Sequence, residues 1–93
     1  MLAENDGHLD LDCGIAYDRI ASWLEDDLAL PRSDGRWMFH RNGGTCSIAL
    51  EPLESRAFRN VCIERTRLMA EGEPDALESF ERLFTLRFIS AGG

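Results

Sequence analysis

The side chains able to do chemistry in this chain are three cysteines (Cys13, Cys46, Cys62), two histidines (His8, His40) and ten arginines, with no lysine. A nucleophilic thiol needs a base within hydrogen-bond reach, and Cys46 with His40 is the pair close enough to consider. They flank Asn42-Gly43-Gly44, and Asn-Gly supplies the two positive φ values of a tight hairpin turn. With a two-residue Asn42-Gly43 loop, Phe39 pairs with Cys46 and Trp37 with Ile48; a loop at Gly43-Gly44 shifts the pairing by two residues and keeps the same faces, so the faces are specified and the register is left open. Alternation then sends Cys46 and His40 to opposite faces, which is poor geometry for a catalytic pair. The odd cysteine count and the lack of any C-x-x-C spacing argue against a disulfide framework or a zinc site. The thiols read as small buried apolar residues. Asp10-Leu-Asp12 begins like a calcium loop, but its glycine falls at Gly14 and Ala21 stands where the closing glutamate belongs. The expected catalytic, cofactor and metal residues are therefore none.

The arginines offer anion chemistry. Arg41, Arg56, Arg59, Arg65 and Arg67 form a candidate anion or nucleic-acid patch, near the aromatics Trp37 and Phe39, in the manner of a sheet that stacks bases. Scattered arginines more often form a solvated surface, and the exclusive use of arginine is what a G+C-rich coding bias produces. The net charge is −7, and residues 1–34 account for all of it, with nine acids against two arginines. That acidity disfavours general binding to phosphate backbones.

Size and composition set the frame for the elements. Ninety-three residues, 44% hydrophobic and 29% charged, suit one small soluble domain of marginal stability, which self-association would help. No apolar run reaches the roughly 18 residues of a membrane span, and the N-terminus lacks a secretory pattern; the expected location is the cytoplasm.

Residues 1–13 read as a flexible acidic tail, with a short alternation at Leu9, Leu11 and Cys13. Ile20, Trp23, Leu24 and Leu28 recur at helical spacing, predicting an amphipathic helix over Ala16–Leu28, ended by Pro31. Its C-terminal end carries Glu25, Asp26 and Asp27, against the helix dipole. Pro31-Arg-Ser-Asp-Gly35 is turn chemistry, and the Asn-Gly hairpin follows. Pro52 is expected to stop the second strand, and Glu54–Asn60 to be a polar connection. Residues 61–69 suit a strand better than a helix, because β-branched residues cluster at their start and a hairpin needs a third strand. A last helix begins at Pro74 or Asp75, with Asp75 and Glu78 at capping-box spacing, and ends near Ser90-Ala-Gly-Gly93. The fold class is α+β: a small three-stranded antiparallel meander flanked by an N-terminal and a C-terminal helix.

That last helix carries apolar side chains in more directions than a small sheet covers from one side. Leu77, Phe80, Leu83, Phe84 and Phe88 are therefore the candidate protein interface, the alternative being that the first helix buries this surface within the monomer. The helix Ile20-Ala-Ser-Trp-Leu-Glu-Asp-Asp-Leu28, the meander containing Thr45-Cys-Ser-Ile-Ala-Leu-Glu51 and the Leu/Phe-rich second helix together resemble class I type III secretion chaperones. The resemblance spans residues 16–90 and implies a bacterial homodimer that presents apolar patches to a protein client, without enzymatic activity. The chain is shorter than those proteins and lacks their later strands and final helix, so no site residues carry over. The function expected is a small acidic chaperone-like interaction adaptor, dimeric, with no cofactor and no membrane partner. The alternatives are a nucleic-acid-binding or regulatory module using the sheet arginines, and a small enzyme whose site the sequence conceals.

Overall fold

The computed structural model describes residues 7–41 and 43–89, as an α+β fold built on a five-stranded antiparallel sheet of order β1-β5-β4-β3-β2. The strands are β1 (His8–Cys13), β2 (Arg32–Ser33), β3 (Arg36–Arg41), β4 (Gly44–Phe58) and β5 (Val61–Gly72). Helix α1 (Tyr17–Ser22) follows β1 and continues as a π-helical turn, Trp23–Asp27; helix α2 (Pro74–Phe84) follows β5 and continues as another, Thr85–Ile89.

The three-stranded meander opened by a helix is thus corrected to five strands opened by a strand. The alternation Leu9, Leu11, Cys13 is β1, paired with β5 from His8↔Glu71 to Cys13↔Thr66, so the expected tail is structured from His8 onward. Residues 1–6 of that tail, Asn42 of the turn and the expected helix end at Ser90–Gly93 lie outside the described residues. The hairpin keeps the expected faces, and of the two registers left open it takes the one with Trp37↔Ile48, Phe39↔Cys46 and Arg41↔Gly44. Residues 61–69 are strand, as their β-branched start suggested. Asp34 and Gly35 both take positive φ (52° and 76°) between β2 and β3, a second tight hairpin inside the Pro31–Gly35 turn.

Pro52 does not stop β4. It sits within the strand opposite Thr66. Since β3 pairs with β4 only as far as Ile48, β4 has one bonded edge from there on, and a proline is tolerated on such an edge.

One contiguous core lies between the helices and one face of the sheet. Strand alternation brings Trp37, Phe39, Cys46, Ile48, Leu68 and Ala70 to that face, all buried. Trp23 of the first helical segment lies 5.9 Å, 6.0 Å and 5.3 Å from the rings of Phe80, Phe84 and Phe88, and Phe39 lies 5.6 Å from Phe80. Thr66 is the buried polar side chain among the described residues; its hydroxyl donates to the Ile15 carbonyl at 2.7 Å, tying the β1–α1 connection to the sheet. The first helix ends with Leu28 N–H donating to the Trp23 carbonyl and Leu30 N–H to the Leu24 carbonyl, both at 2.9 Å, around Ala29 at φ 54°. Leu28 N–H thus reaches back five residues, as in a π-helix, and Leu30 N–H six, one more than in the closure usually formed around a left-handed glycine. Glu73 stands at the N-cap of α2, but its carboxylate makes no capping bond and accepts the Thr45 N–H at 2.8 Å instead. The expected Asp75–Glu78 box is therefore not how this helix begins.

Two backbone positions give opposite expectations. Ala29→Gly removes a left-handed alanine and should raise the unfolding free energy by about 1 kcal/mol. At Gly72 a Cβ would meet the Thr45 carbonyl oxygen at 2.3 Å and Cys46 Cα at 2.5 Å. Gly72→Ala should therefore cost about 3 kcal/mol. Urea unfolding followed by far-UV circular dichroism measures both, and a stabilised Gly72→Ala protein would refute the close approach.

Candidate functional site

The candidate site is the part of the sheet that no neighbouring element covers. β1 reaches β5 only at Thr66 and β3 reaches β4 only at Ile48, so beyond the Pro52↔Thr66 pair the two central strands continue alone. Leu53–Phe58 and Val61–Arg65 form a two-stranded arm, closed at Arg59-Asn60. At about 3.3 Å per residue it extends roughly 20 Å. The expected polar connection Glu54–Asn60 is corrected to the outer half of this arm. The register pairs Leu53 with Arg65, Arg56 with Ile63 and Phe58 with Val61, with one irregularity between Leu53 and Arg56. Paired residues share a face, so these six line one side of the arm.

That side is apolar and wet. Phe58 is 61% exposed, Val61 58% and Ile63 40%. At the tip Arg59 takes a left-handed backbone conformation (φ 59°), and its guanidinium lies 5.4 Å from the Phe58 ring centre. Cys62, on the other side of the arm, is an exposed free thiol. Sequence reasoning missed the arm, although Phe58-Arg-Asn-Val61, two apolar residues around a two-residue polar turn, was a hairpin signal.

The candidate interface on the last helix lies elsewhere. Phe80 and Phe84 are buried to within 1% and Leu77 is 7% exposed, while Leu83 and Phe88 are partly buried against the same core. Their apolar surface is covered within the chain by the sheet and Trp23. Leu86 and Ile89, exposed by 57% and 62%, are what the helix leaves to solvent.

The five candidate patch arginines do not converge. Arg67 holds Asp10 at 2.7 Å and lies 3.6 Å from Glu51, and Arg65 is bound two-pronged by Asp12. Arg41 is at the far end of the 15-residue β4 from the arm, with its guanidinium 5.7 Å from the Phe39 ring centre. Arg56 and Arg59 are on the arm. The open face of the sheet is accordingly a ladder of ion pairs, extended by Arg36, 3.3 Å from Glu71 and hydrogen-bonded to Ser47. The acids at the end of the first helix are partly answered within the chain. Glu25 accepts the Trp37 indole N–H at 3.2 Å and lies 3.6 Å from Arg32, and Asp27 lies 3.9 Å from Arg87.

Cys46 and His40 occupy opposite faces. His40 Nδ1 bonds the Thr45 hydroxyl at 2.9 Å, while burial pushes the Cys46 thiol up to about 11. Burial, with a smaller push from Asp12, also raises Cys13. Among the described residues no three His, Cys, Asp or Glu side chains form a metal-binding group. The clefts are shallow and charged, one of about 350 Å³ being lined by Asp18, Ser22, Trp23, Asp26, Asp27 and Arg87. No described helix is long and apolar enough to cross a membrane. Compared with family models, with curated proteins and with solved structures, the chain matches none.

Two solution measurements follow from these contacts. Hydrogen bonds from Arg67 and Arg65 hold Asp10 and Asp12 below the usual carboxylate range. Their ion pairs therefore stabilise the fold above the unfolded-state value of about 3.9 and are lost as pH falls through the depressed folded values. An Asp10→Asn, Asp12→Asn protein should lose less stability below about pH 4 than the wild type, read as the urea midpoint against pH. At pH 8 a thiol reagent should titrate Cys62 quickly, and Cys13 and Cys46 only on unfolding; fast reaction of Cys46 would overturn its placement in the core.

Proposed function

We propose that this chain is a small, acidic, non-enzymatic protein-interaction adaptor whose contact surface is the arm formed by β4 and β5. The observation that carries this is the arm itself: a ribbon that, among the described residues, has no flanking strand on either edge, with Phe58, Val61 and Ile63 exposed together. A two-stranded hairpin alone in water is at best marginally stable. Clustered exposed apolar side chains mark contact sites more often than isolated ones do. The contact surface thus moves from the last helix, whose large side chains are occupied within the chain, to the arm.

A chaperone-like role remains the form of this proposal that the sequence favours, in a bacterial cytoplasm where three unpaired thiols stay reduced. The fold departs from the element order behind that resemblance, having a strand before the first helix and four strands between the helices. Anion binding is supported less, because Arg65 and Arg67 are engaged by carboxylates.

The test is co-purification from the native host with wild type and with Phe58→Asp, Val61→Asp. Both positions are exposed, so the variant should keep its circular dichroism spectrum and melting temperature while losing at least tenfold of any specifically retained protein or of self-association. Equal retention by the two proteins, with equal oligomeric state, would count against the arm.

A further inference from the structure

Two arginines left out of the ion-pair ladder are on the arm. Arg56 and Arg59 make no ion pair among the described residues. Arg56 sits on the middle row, across from Ile63, and Arg59 at the turn beside Phe58. Between Glu54 and Glu64 the chain has no acidic residue, although its net charge is −7. At the base of the same face the acids are already taken: Asp12 is bound by Arg65, with only a weaker through-space pull from Arg56, and Glu51 lies 3.6 Å from Arg67. The face is therefore apolar at Phe58, Val61 and Ile63, with unpaired positive charge beside and beyond those side chains. The tip stands roughly 20 Å past the last flanked pair, against a screening length of about 8 Å at physiological ionic strength. An anionic partner repelled by the acidic body is thus still free to meet the tip.

We infer that the occupant of this face is an acidic, apolar segment of another protein, with its carboxylates on Arg56 and Arg59 and its apolar side chains on Phe58, Val61 and Ile63. This rests on the arm being the contact surface, and adds the chemistry of the partner. A guanidinium presents paired N–H donors that a carboxylate accepts two at a time, and such a pair is stronger where apolar contact thins the water around it. A second copy of the arm is a poor occupant, since it brings the same guanidinium groups and, over residues 55–63, no carboxylate. An anionic lipid surface also fits less well. End-on approach to a bilayer would carry Glu54 and Glu64, which bracket the tip, to within about one screening length of the head groups. A segment lying on one face avoids Glu64, which alternation places on the other side, between Ile63 and Arg65.

Fluorescence anisotropy with a labelled dodecapeptide alternating leucine and glutamate tests this. The peptide should bind the wild type, less tightly as sodium chloride is raised from about 50 to about 300 mM, and a peptide alternating serine and glutamate should not bind. Arg56→Glu, Arg59→Glu should weaken binding about tenfold, the scale expected for reversing two exposed charges. Phe58→Asp should weaken it by a similar factor, whereas Arg41→Glu, at the far end of β4, should leave it unchanged. These positions are exposed, and the circular dichroism spectrum and melting temperature of each variant check that it folds. No binding of the leucine–glutamate peptide, or binding that Arg41→Glu weakens as much as the arm variants do, would overturn the proposal. So would vesicles of phosphatidylglycerol that bind through Arg56, Arg59 and Phe58 where the peptide does not. If the peptide fails while Phe58→Asp, Val61→Asp still loses host proteins or self-association, the acidic partner is refuted and the contact role of the arm stands; if neither depends on the arm, both fall.

Discussion

The structure depends on where Phe80 sits. Its ring is fully buried, against Phe39 of the sheet on one side and Trp23 of the first helical segment on another, so one side chain ties both helical segments to the sheet. Phe84 and Phe88 extend the contact along Trp23. Each such burial contributes about 1.5–3 kcal/mol, with about 0.5–1.5 more for an edge-on aromatic pair. In a domain of this size, losing one of them removes a large part of the total stability. The same contact limits what the last helix can offer another chain. Its largest side chains already have partners, and only its outer turn, with Leu86 and Ile89, faces solvent.

Once one face of the sheet is committed to the helices, the chemistry of the other follows from the period of two. Along β1, Leu9, Leu11 and Cys13 face the core, and Asp10 and Asp12 face out toward Arg67 and Arg65. Asp10 and Asp12 of β1 and the arginines Arg65 and Arg67 of β5 are thus two halves of one ladder. Exposed pairs of this kind contribute little to stability individually. They do make the open face well solvated beside the core, and the apolar surface exposed on the sheet is found where the ladder gives out, along the arm.

The parts of the fold legible in the sequence are those specified locally. Asn-Gly at 42–43 is a local hairpin signal, and alternation on either side of it assigns Trp37, Phe39, Cys46 and Ile48 to one face, while the register itself is seen only in the pairing of β3 with β4. The stripe Leu77, Phe80, Phe84 is a helix by period and a buried one by composition. β1 was obscure because the partners of its aspartates lie more than fifty residues away, at Arg65 and Arg67; without them, alternating acids read as a tail. Pro52 misleads for a related reason, since a proline ends a strand only if a neighbour needs its N–H, and the extent of β3 decides that. The arm was hidden by both effects together. Arg56 and Arg59 were visible as charges, but their separation from Arg41 along β4, and the exposure of Phe58 beside them, are consequences of strand length.

Arg59 sharpens the question of what the arm is for. A left-handed backbone costs a residue with a Cβ roughly 1–2 kcal/mol, and this turn has no glycine to avoid it. The arm also lacks the flanking strands that hold the rest of the sheet in register. A strained tip on an uncovered ribbon is weakly held by local contacts, and its exposed apolar side chains add little burial in the isolated chain. Elements with few buried contacts and solvated backbone are the ones that open most readily. Contact along the Phe58, Val61 and Ile63 face would therefore stabilise the arm where the isolated chain does not, so that binding and ordering of this segment are coupled.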